Sequence, residues 1–336
     1  MEYVNLGSSG VKVSKFCFGT MTFGSGFRGV GAVSQQDANA MVKYALDHGV
    51  NFFDTADVYS RGESEQVLGK ALKAAGVPRD QVIIATKVRG RMGDDVNDVG
   101  LSRKHILDSA EKSLKRLQVE YIDLYQVHGW DPSTPLKETM EALNDLVRWG
   151  KVRYLGASNL AAWQLAKANA IARKHGWARF VTYQGYYSLV GRDIEHEVVP
   201  LCLDQGMGVL TWSPLAGGLL TGKYRKGAPK GTRLSGELKG FIPADERLLG
   251  KVLDALDTVS KAHKTTLATA ALAWLAQRPG VTSVIIGART EEQLEQNLAA
   301  SELEMNAKEL AALDAASATP LPYPQWMIER QKAYHK

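Results

Sequence analysis

Three short apolar runs each stop at an ionisable residue: Asn51-Phe52-Phe53 at Asp54, Val82-Ile83-Ile84-Ala85-Thr86 at Lys87, and Tyr125-Gln126-Val127 at His128. Tyr59 follows five residues after Asp54, close enough for a loop to fold its hydroxyl back over the same place. These four types suit proton delivery to a carbonyl oxygen. A phenol of pKa near 10 is a poor acid–base group at neutral pH, and an adjacent ammonium lowers that pKa by stabilising the phenolate. Lys87 is the candidate ammonium, and Asp54 the carboxylate that keeps it charged and oriented when buried. A neutral His128 could donate a hydrogen bond to the carbonyl and fix its angle of approach. Taken singly, each has a plainer reading as a packed tyrosine, a solvated lysine, a capping histidine or a loop-capping aspartate. Their joint placement at the ends of successive runs favours a functional set.

The runs belong to a longer alternation. Strand candidates are Phe16 to Thr20, Asn51 to Asp54, Val82 to Lys87, Ile122 to His128, Val152 to Ala157, Val181 to Gln184, Val209 to Trp212 and Val284 to Gly287. Between them lie segments of helical period with readable starts at Ser34, Ser102, Pro135 and Asn159, and ends at Gly49, Gly76, Gly150 and Gly176. Eight β-α units without a composition break point to one closed (β/α)8 TIM barrel spanning residues 1–336 rather than an open sheet. Such a barrel needs about 250 residues. The surplus goes to an N-terminal β-hairpin at 3–14, long loops on the C-terminal face, chiefly Ser213 to Ala244, and a C-terminal helix and tail at 301–336 after a barrel of 15–300. Barrel enzymes build their sites at the C-terminal ends of the strands, where these ionisable residues fall.

Gly24-Ser25-Gly26-Phe27-Arg28-Gly29 spells G-x-G-x-x-G after a strand, and Asp47 or Asp54 follows at roughly the spacing of a Rossmann fingerprint. In that fingerprint the helix begins inside the glycines, so that its N-terminus meets the pyrophosphate. Here the helix start is Ser34, past the last glycine, so the glycines read as a loop at the barrel mouth.

Composition excludes several other classes. Hydrophobic residues make up 45% and charged residues 23%, ordinary for a packed globular chain. The excess of five cations is spread thinly, with no basic stripe interleaved with aromatics, so no nucleic-acid partner is expected. No apolar run reaches the roughly 18 residues of a membrane span, and Met1-Glu2-Tyr3-Val4-Asn5 lacks a signal-peptide pattern. Cys17 and Cys202 each sit in an apolar run and read as reduced thiols; a cytoplasmic location is expected.

Asp54-Thr55-Ala56-Asp57-Val58-Tyr59, Lys87 after Ile83-Ile84-Ala85-Thr86, and Asp123-Leu124-Tyr125-Gln126-Val127-His128 resemble the three motifs that carry the tetrad of the aldo-keto reductase superfamily. Gly156-Ala157-Ser158-Asn159 and Ile286-Gly287-Ala288-Arg289-Thr290 resemble further motifs of that family, and the likeness runs from Leu6-Gly7 to Asn297. The resemblance implies a metal-free barrel that binds NADPH across its mouth and reduces an aldehyde or ketone. Tyr59 would be the general acid, Lys87 and Asp54 its tuning pair, and His128 the orienting donor. It also implies that Thr20 and Met21 touch the cofactor, that Ser158, Asn159 and Gln184 bind the nicotinamide carboxamide, and that Trp212 stacks on the ring where relatives carry Tyr. Ser213, Leu215, Gly217 and Lys223 match the pyrophosphate loop; Gly287, Arg289, Gln293 and Asn297 match the segment around the adenosine 2′-phosphate, Gly287 standing where better-known members have Lys. For the small-molecule substrate the candidate walls are Phe23, Phe27, Trp130, Tyr186 and Trp326, with Arg28, Arg89 and Arg91 near enough to admit a charged one. Two other readings stay open: a non-catalytic nucleotide-binding module like channel-associated β subunits, and an NAD-linked alcohol dehydrogenase working in the oxidising direction.

Overall fold

The computed structural model describes residues 1–26, 32–225, 240–243 and 245–335. Phe27, Arg28 and most of the long loop before Ala244 therefore lie outside the described residues. Strands β1 (Tyr3–Asn5) and β2 (Lys12–Ser14) form an antiparallel hairpin. Strands β3 (Phe16–Gly19), β4 (Phe52–Asp54), β5 (Ile83–Val88), β6 (Ile122–Val127), β7 (Val152–Ser158), β8 (Phe180–Tyr186), β9 (Gly208–Trp212) and β10 (Val281–Ile286) follow. They close into a parallel barrel in chain order, β10 pairing with both β9 and β3. The eight expected strands are all present. Helices α1 (Gln35–Asp47), α2 (Glu63–Ala75), α3 (Arg103–Leu117), α4 (Leu136–Arg148), α5 (Ala162–His175), α6 (Val198–Gln205), α7 (Glu246–Ala262), α8 (Leu267–Ala276), α9 (Glu291–Leu298), α10 (Ala307–Ala316) and α11 (Gln325–Gln331) complete the described elements.

Two apolar layers fill this frame because successive strand residues face opposite sides. Phe53, Ile84, Tyr125 and Val209 pack outward under the helices, whereas Cys17, Phe52, Ala85, Leu124 and Leu210 fill the lumen. Leu6 and Val13 of the hairpin join the lumen layer, so the hairpin plugs the N-terminal end. That leaves the C-terminal end for polar chemistry. Continuing the alternation from Phe52, Ala85 and Leu124 puts Asp54, Lys87, Gln126 and His128 on the lumen face.

Helix starts follow the capping rule where a Ser is available: Ser34 Oγ accepts from Asp37 N at 3.1 Å and Ser102 Oγ from His105 N at 3.2 Å. Helix α1 thus begins beyond the glycine motif, as the loop reading requires. Asn159 does not cap α5. That helix begins after Ala161, whose N–H is held by Gln164 Oε1 at 2.9 Å, while Asn159 has φ +57° and turns its side chain to the barrel mouth. Among the described residues no helix is long and apolar enough to cross a membrane.

Candidate active site

Register brings the strand ends level with one another. Asp54 lies opposite Gly19 and Ala85, Lys87 opposite Gln126, and Ser158 opposite Gln184. Lys87 is fully buried, and its Nζ donates to Asp54 Oδ1 at 2.5 Å and Thr55 O at 2.8 Å, and reaches Tyr59 Oη at 3.5 Å. The other carboxylate oxygen of Asp54 accepts from Gln126 Nε2 at 3.1 Å and Gln184 Nε2 at 2.9 Å. A buried ion pair only about offsets its own desolvation unless its remaining lone pairs are also satisfied. Here they are. Gly156 makes room for this arrangement, since a Cβ there would sit 2.9 Å from Gln126 Cγ and 2.5 Å from Thr182 Oγ1.

The loop carrying Tyr59 is pinned to the strand carrying Lys87. Thr55 N bonds to Ala85 O at 2.9 Å and Asp57 N to Lys87 O at 3.2 Å, so phenol and ammonium are set by one hydrogen-bonded ladder. Ser60 and Arg61 then take φ values of +48° and +51°. Of the non-glycine residues with positive φ, Ser60, Arg61, Arg89, Asn159, Ser213 and Ala216 all lie in loops beyond strand C-termini; Gln118 and Lys264 instead end helices. Such conformations persist only where surrounding contacts impose them, and they gather at functional sites.

The electrostatics differ in one respect from the expectation. Burial pushes the Tyr59 phenol above its ordinary value; the Lys87 ammonium opposes this without prevailing. Although Tyr59 as a whole is partly exposed, its hydroxyl is enclosed. The phenol therefore stays protonated through neutral pH. Burial, the largest single influence, pulls Lys87 down, but Asp54 and Tyr59 together outweigh it and leave the ammonium above its usual value. His128 packs its ring edge-on to Tyr59, with centroids 5.7 Å apart at 81°, and burial, Lys87 and Arg89 push its imidazole down to about 3. It is neutral at working pH, as its proposed role needs. Because this pKa is depressed on folding, the stability that neutral His128 contributes is present above about 6.5 and lost as pH falls toward 3. Urea midpoints measured from pH 7 down to pH 4 should fall less steeply in His128→Gln than in the parent; parallel slopes would contradict the assignment.

Around this centre the expected cofactor residues divide into three groups. Ser158 is buried, and its Oγ has no hydrogen-bond partner among the described residues. Asn159 Nδ2 donates to His128 O at 3.0 Å and its Oδ1 accepts from Trp212 Nε1 at 3.1 Å, tying the histidine strand to the tryptophan. Gln184 is turned to Asp54 as above. Trp212 is flanked by Tyr186 and Phe241, at centroid distances of 5.2 and 6.2 Å. In the second group, Ser213, Ala216, Gly217 and Gly218 all have positive φ, and Lys223 Nζ lies 3.2 Å from where a Gly218 Cβ would be. Leu215 sits inside this glycine-rich turn, its carbonyl accepting from Gly218 N at 2.9 Å. The third group closes the loop before α9: Gln293 Oε1 accepts from Arg289 N at 3.0 Å, Asn297 Nδ2 donates to Gly287 O at 3.2 Å, and the Arg289 side chain stays exposed.

The remaining expected residues divide among the mouth, the core and the tail. Thr20 is fully enclosed, its hydroxyl donating to Asp54 O at 3.1 Å, while its neighbour Met21 is partly exposed. Phe23 is no pocket wall: it is fully buried, edge-on to Phe18 at 5.7 Å. Trp130 pairs with Trp163 at 5.9 Å, and Tyr186 with Trp212. Trp326 packs with Tyr323 and Arg330 in the tail, which Gln325 Nε2 fastens to His196 O at 3.2 Å. Sequence reasoning passed over Gln126 as a partner of Asp54, although the alternation from Leu124 would have put it on the lumen face. It also missed a buried pair behind the site, where Arg116 Nε meets Glu65 Oε2 at 2.6 Å and Thr86 Oγ1 donates to Glu65 Oε1 at 2.6 Å.

A closed eight-stranded parallel barrel whose C-terminal strand ends hold a buried ammonium–carboxylate pair against a tyrosine defines a TIM-barrel protein with its polar centre where barrel enzymes work. The model of the Aldo/keto reductase family matches residues 15–318. The chain is 34% identical over 332 residues to Versiconal hemiacetal acetate reductase of Aspergillus parasiticus, covering 94% of this chain and 96% of that one. It is 41% identical to Uncharacterized oxidoreductase YrpG of Bacillus subtilis (strain 168), covering 94% and 95%. It is also 39% identical to a Probable voltage-gated potassium channel subunit beta of Arabidopsis thaliana, covering 89% and 91%. The chain belongs to the aldo/keto reductase family.

Proposed function

We propose that this chain is an NADPH-dependent reductase of aldehydes or ketones. The observation that carries the reading is the single Lys87 ammonium within reach of both the Asp54 carboxylate and the Tyr59 hydroxyl. A nicotinamide cofactor fits the residues present, since the buried Ser158 hydroxyl wants a partner and the positive-φ turn beside Lys223 offers backbone N–H groups with a cation close by. Ser158, Asn159 and Gln184 would hold its carboxamide and Trp212 its ring. Ser213, Leu215, Gly217 and Lys223 would hold the pyrophosphate, with Arg289 and its neighbours Gly287, Gln293 and Asn297 at the adenosine end. When bound, NADPH supplies the hydride that adds to the carbonyl carbon.

Everything else falls to the chain. His128, neutral, donates to the carbonyl oxygen and sets its approach, and Tyr59, protonated, transfers its proton to that oxygen as the C–O π bond breaks and the alcohol forms. Burial keeps the proton loaded; the Lys87 ammonium, anchored by Asp54, then stabilises the phenolate left behind. Trp130 and Tyr186 flank the mouth as apolar surfaces for the substrate. Buried free thiols at Cys17 and Cys202 fit a reducing cytoplasm.

Loss of nucleotide absorbance with 4-nitrobenzaldehyde, run with NADPH and with NADH, tests the proposal: consumption with NADPH is expected, and none with either nucleotide would defeat it. The relative named as a channel subunit favours a second reading, a nucleotide-binding module, which predicts tight NADPH binding without turnover. The preference for NADPH rests on Arg289, whose exposed guanidinium can pair with a 2′-phosphate by charge-assisted hydrogen bonds that a ribose hydroxyl cannot match. Arg289→Ala should weaken NADPH binding about tenfold or more and NADH binding much less. Equal losses, read by fluorescence titration, would put the phosphate elsewhere.

A further inference from the structure

Lys87 and Val88 lead out of the barrel into Arg89, a residue whose φ of +140° is far outside what a non-glycine side chain prefers. The position is held from several sides. Arg89 O accepts from Gly100 N at 3.0 Å, so the excursion from Gly90 to Leu101 closes back onto it. Its Nε donates to Trp130 O at 3.0 Å. Its stem crosses Gly129, where an added Cβ would lie 3.5 Å from Cδ, 3.6 Å from Nε and 3.9 Å from Cζ. The guanidinium is therefore laid across the residue next to His128, on a strand end already carrying the site's lysine.

Among the described residues nothing neutralises its charge. Arg89 is exposed, and among the described residues its terminal nitrogens take part in no ion pair or hydrogen bond. The acid closest in sequence to its contact, Asp131, is committed elsewhere: Oδ1 accepts from Ser133 N at 2.9 Å and Ser133 Oγ at 2.7 Å, and Oδ2 from Leu101 N and Thr134 Oγ1, both at 2.7 Å. Its neighbour Arg91 is turned to its own loop, where Nη1 donates to Gly93 O at 3.2 Å and Asp95 O at 3.0 Å. Lys87 is neutralised by Asp54. Arg89 is thus an unneutralised, pre-positioned cation beside the group that orients the carbonyl, with the Trp130–Trp163 pair as an apolar wall next to it. A guanidinium with Nε fixed keeps its two terminal amino groups to grip two oxygens of one anion.

We propose that Arg89 is a specificity-determining residue that binds the carboxylate of an anionic carbonyl substrate, such as an oxo acid or a carboxylated aryl aldehyde. This rests on the reductase reading and names the substrate class of that same site. Binding energy from a remote carboxylate would hold the carbonyl in line with Tyr59 and His128.

The test compares 4-carboxybenzaldehyde with its methyl ester. The two share a skeleton, and the aldehyde group of the ester is the more electrophilic, so intrinsic reactivity works against the expected result. In the wild-type protein with NADPH, kcat/KM should favour the acid by about tenfold, mostly through KM. In Arg89→Gln the ratio should fall toward one, and Arg89→Lys should recover part of it. A ratio at or below one in the wild type, or a ratio unchanged in Arg89→Gln, overturns the proposal. Calorimetric titration of the NADP+ complex with benzoate gives a readout without turnover. Benzoate binding lost in Arg89→Gln supports the anion site even where neither aldehyde is reduced, an outcome that counts against the reductase reading alone; binding equal in both proteins overturns the anion site.

Discussion

Tyr59→Phe is expected to bind NADPH as the parent does and to lose about 10² to 10⁴ of its turnover, the usual worth of a positioned proton donor. The substitution removes one oxygen and little else. Lys87 keeps Asp54 and the Thr55 carbonyl as partners, so the buried charge is not orphaned and the fold has no reason to fail. His128 keeps its edge-on ring neighbour. The loss should therefore appear in kcat, with thermal stability close to the parent's. Reduction at the parental rate by this variant would strip Tyr59 of its role.

The second large effect lies behind the site. Glu65 is fully buried and receives Arg116 on one oxygen and Thr86 on the other, while the Arg116 stem fills the space that a side chain at Gly62 would need. Arg116 Nη2 also donates to Ser113 Oγ at 3.2 Å. Close by, Asp57 is wholly enclosed, and burial first, then the Glu65 charge, push its carboxyl well above the usual carboxylate range. Arg116→Met leaves Glu65 without its counter-ion and should cost about 3 kcal/mol in urea unfolding, the scale for breaking a buried pair from one side. Adding Glu65→Gln should return about 1 kcal/mol or more of that loss, because the two residues act as a unit. Strictly additive losses would show that the pair does not couple. Thr86 stands next to Lys87 and Gly62 soon after Tyr59, so the same substitution should also lower turnover.

Local pattern made much of this molecule readable in advance. The strands are short β-branched and aromatic runs bounded by turn residues, and period-two alternation gives each a lumen face. Once the strands were placed, Asp54, Lys87 and His128 had to meet at one rim, and Ser34 and Ser102 marked helix starts by hydroxyls that cap them. The failures are non-local or competitive. Asn159 has the composition of a cap, yet its side chain is claimed by His128 O and Trp212 Nε1, partners from two other strands. Phe23 follows the first barrel strand and could have lined the mouth; packing against Phe18 draws it inward instead. Glu65 and Arg116 are 51 residues apart, and no periodicity in a single sequence couples them. The direction of the Tyr59 shift was missed for a similar reason: a nearby lysine can be guessed from strand ends, whereas the burial that outweighs it depends on the whole closed barrel.

In the proposed reaction the Tyr59 hydroxyl and the His128 imidazole converge on one carbonyl oxygen while the nucleotide lies across the strand ends. A crystal structure of the complex with NADP+ and a carbonyl-mimicking inhibitor measures this directly. The inhibitor oxygen is expected about 3 Å from both side chains, with the nicotinamide carboxamide on Ser158. An oxygen out of reach of Tyr59, or a nucleotide bound away from Ser158 and Trp212, would contradict it.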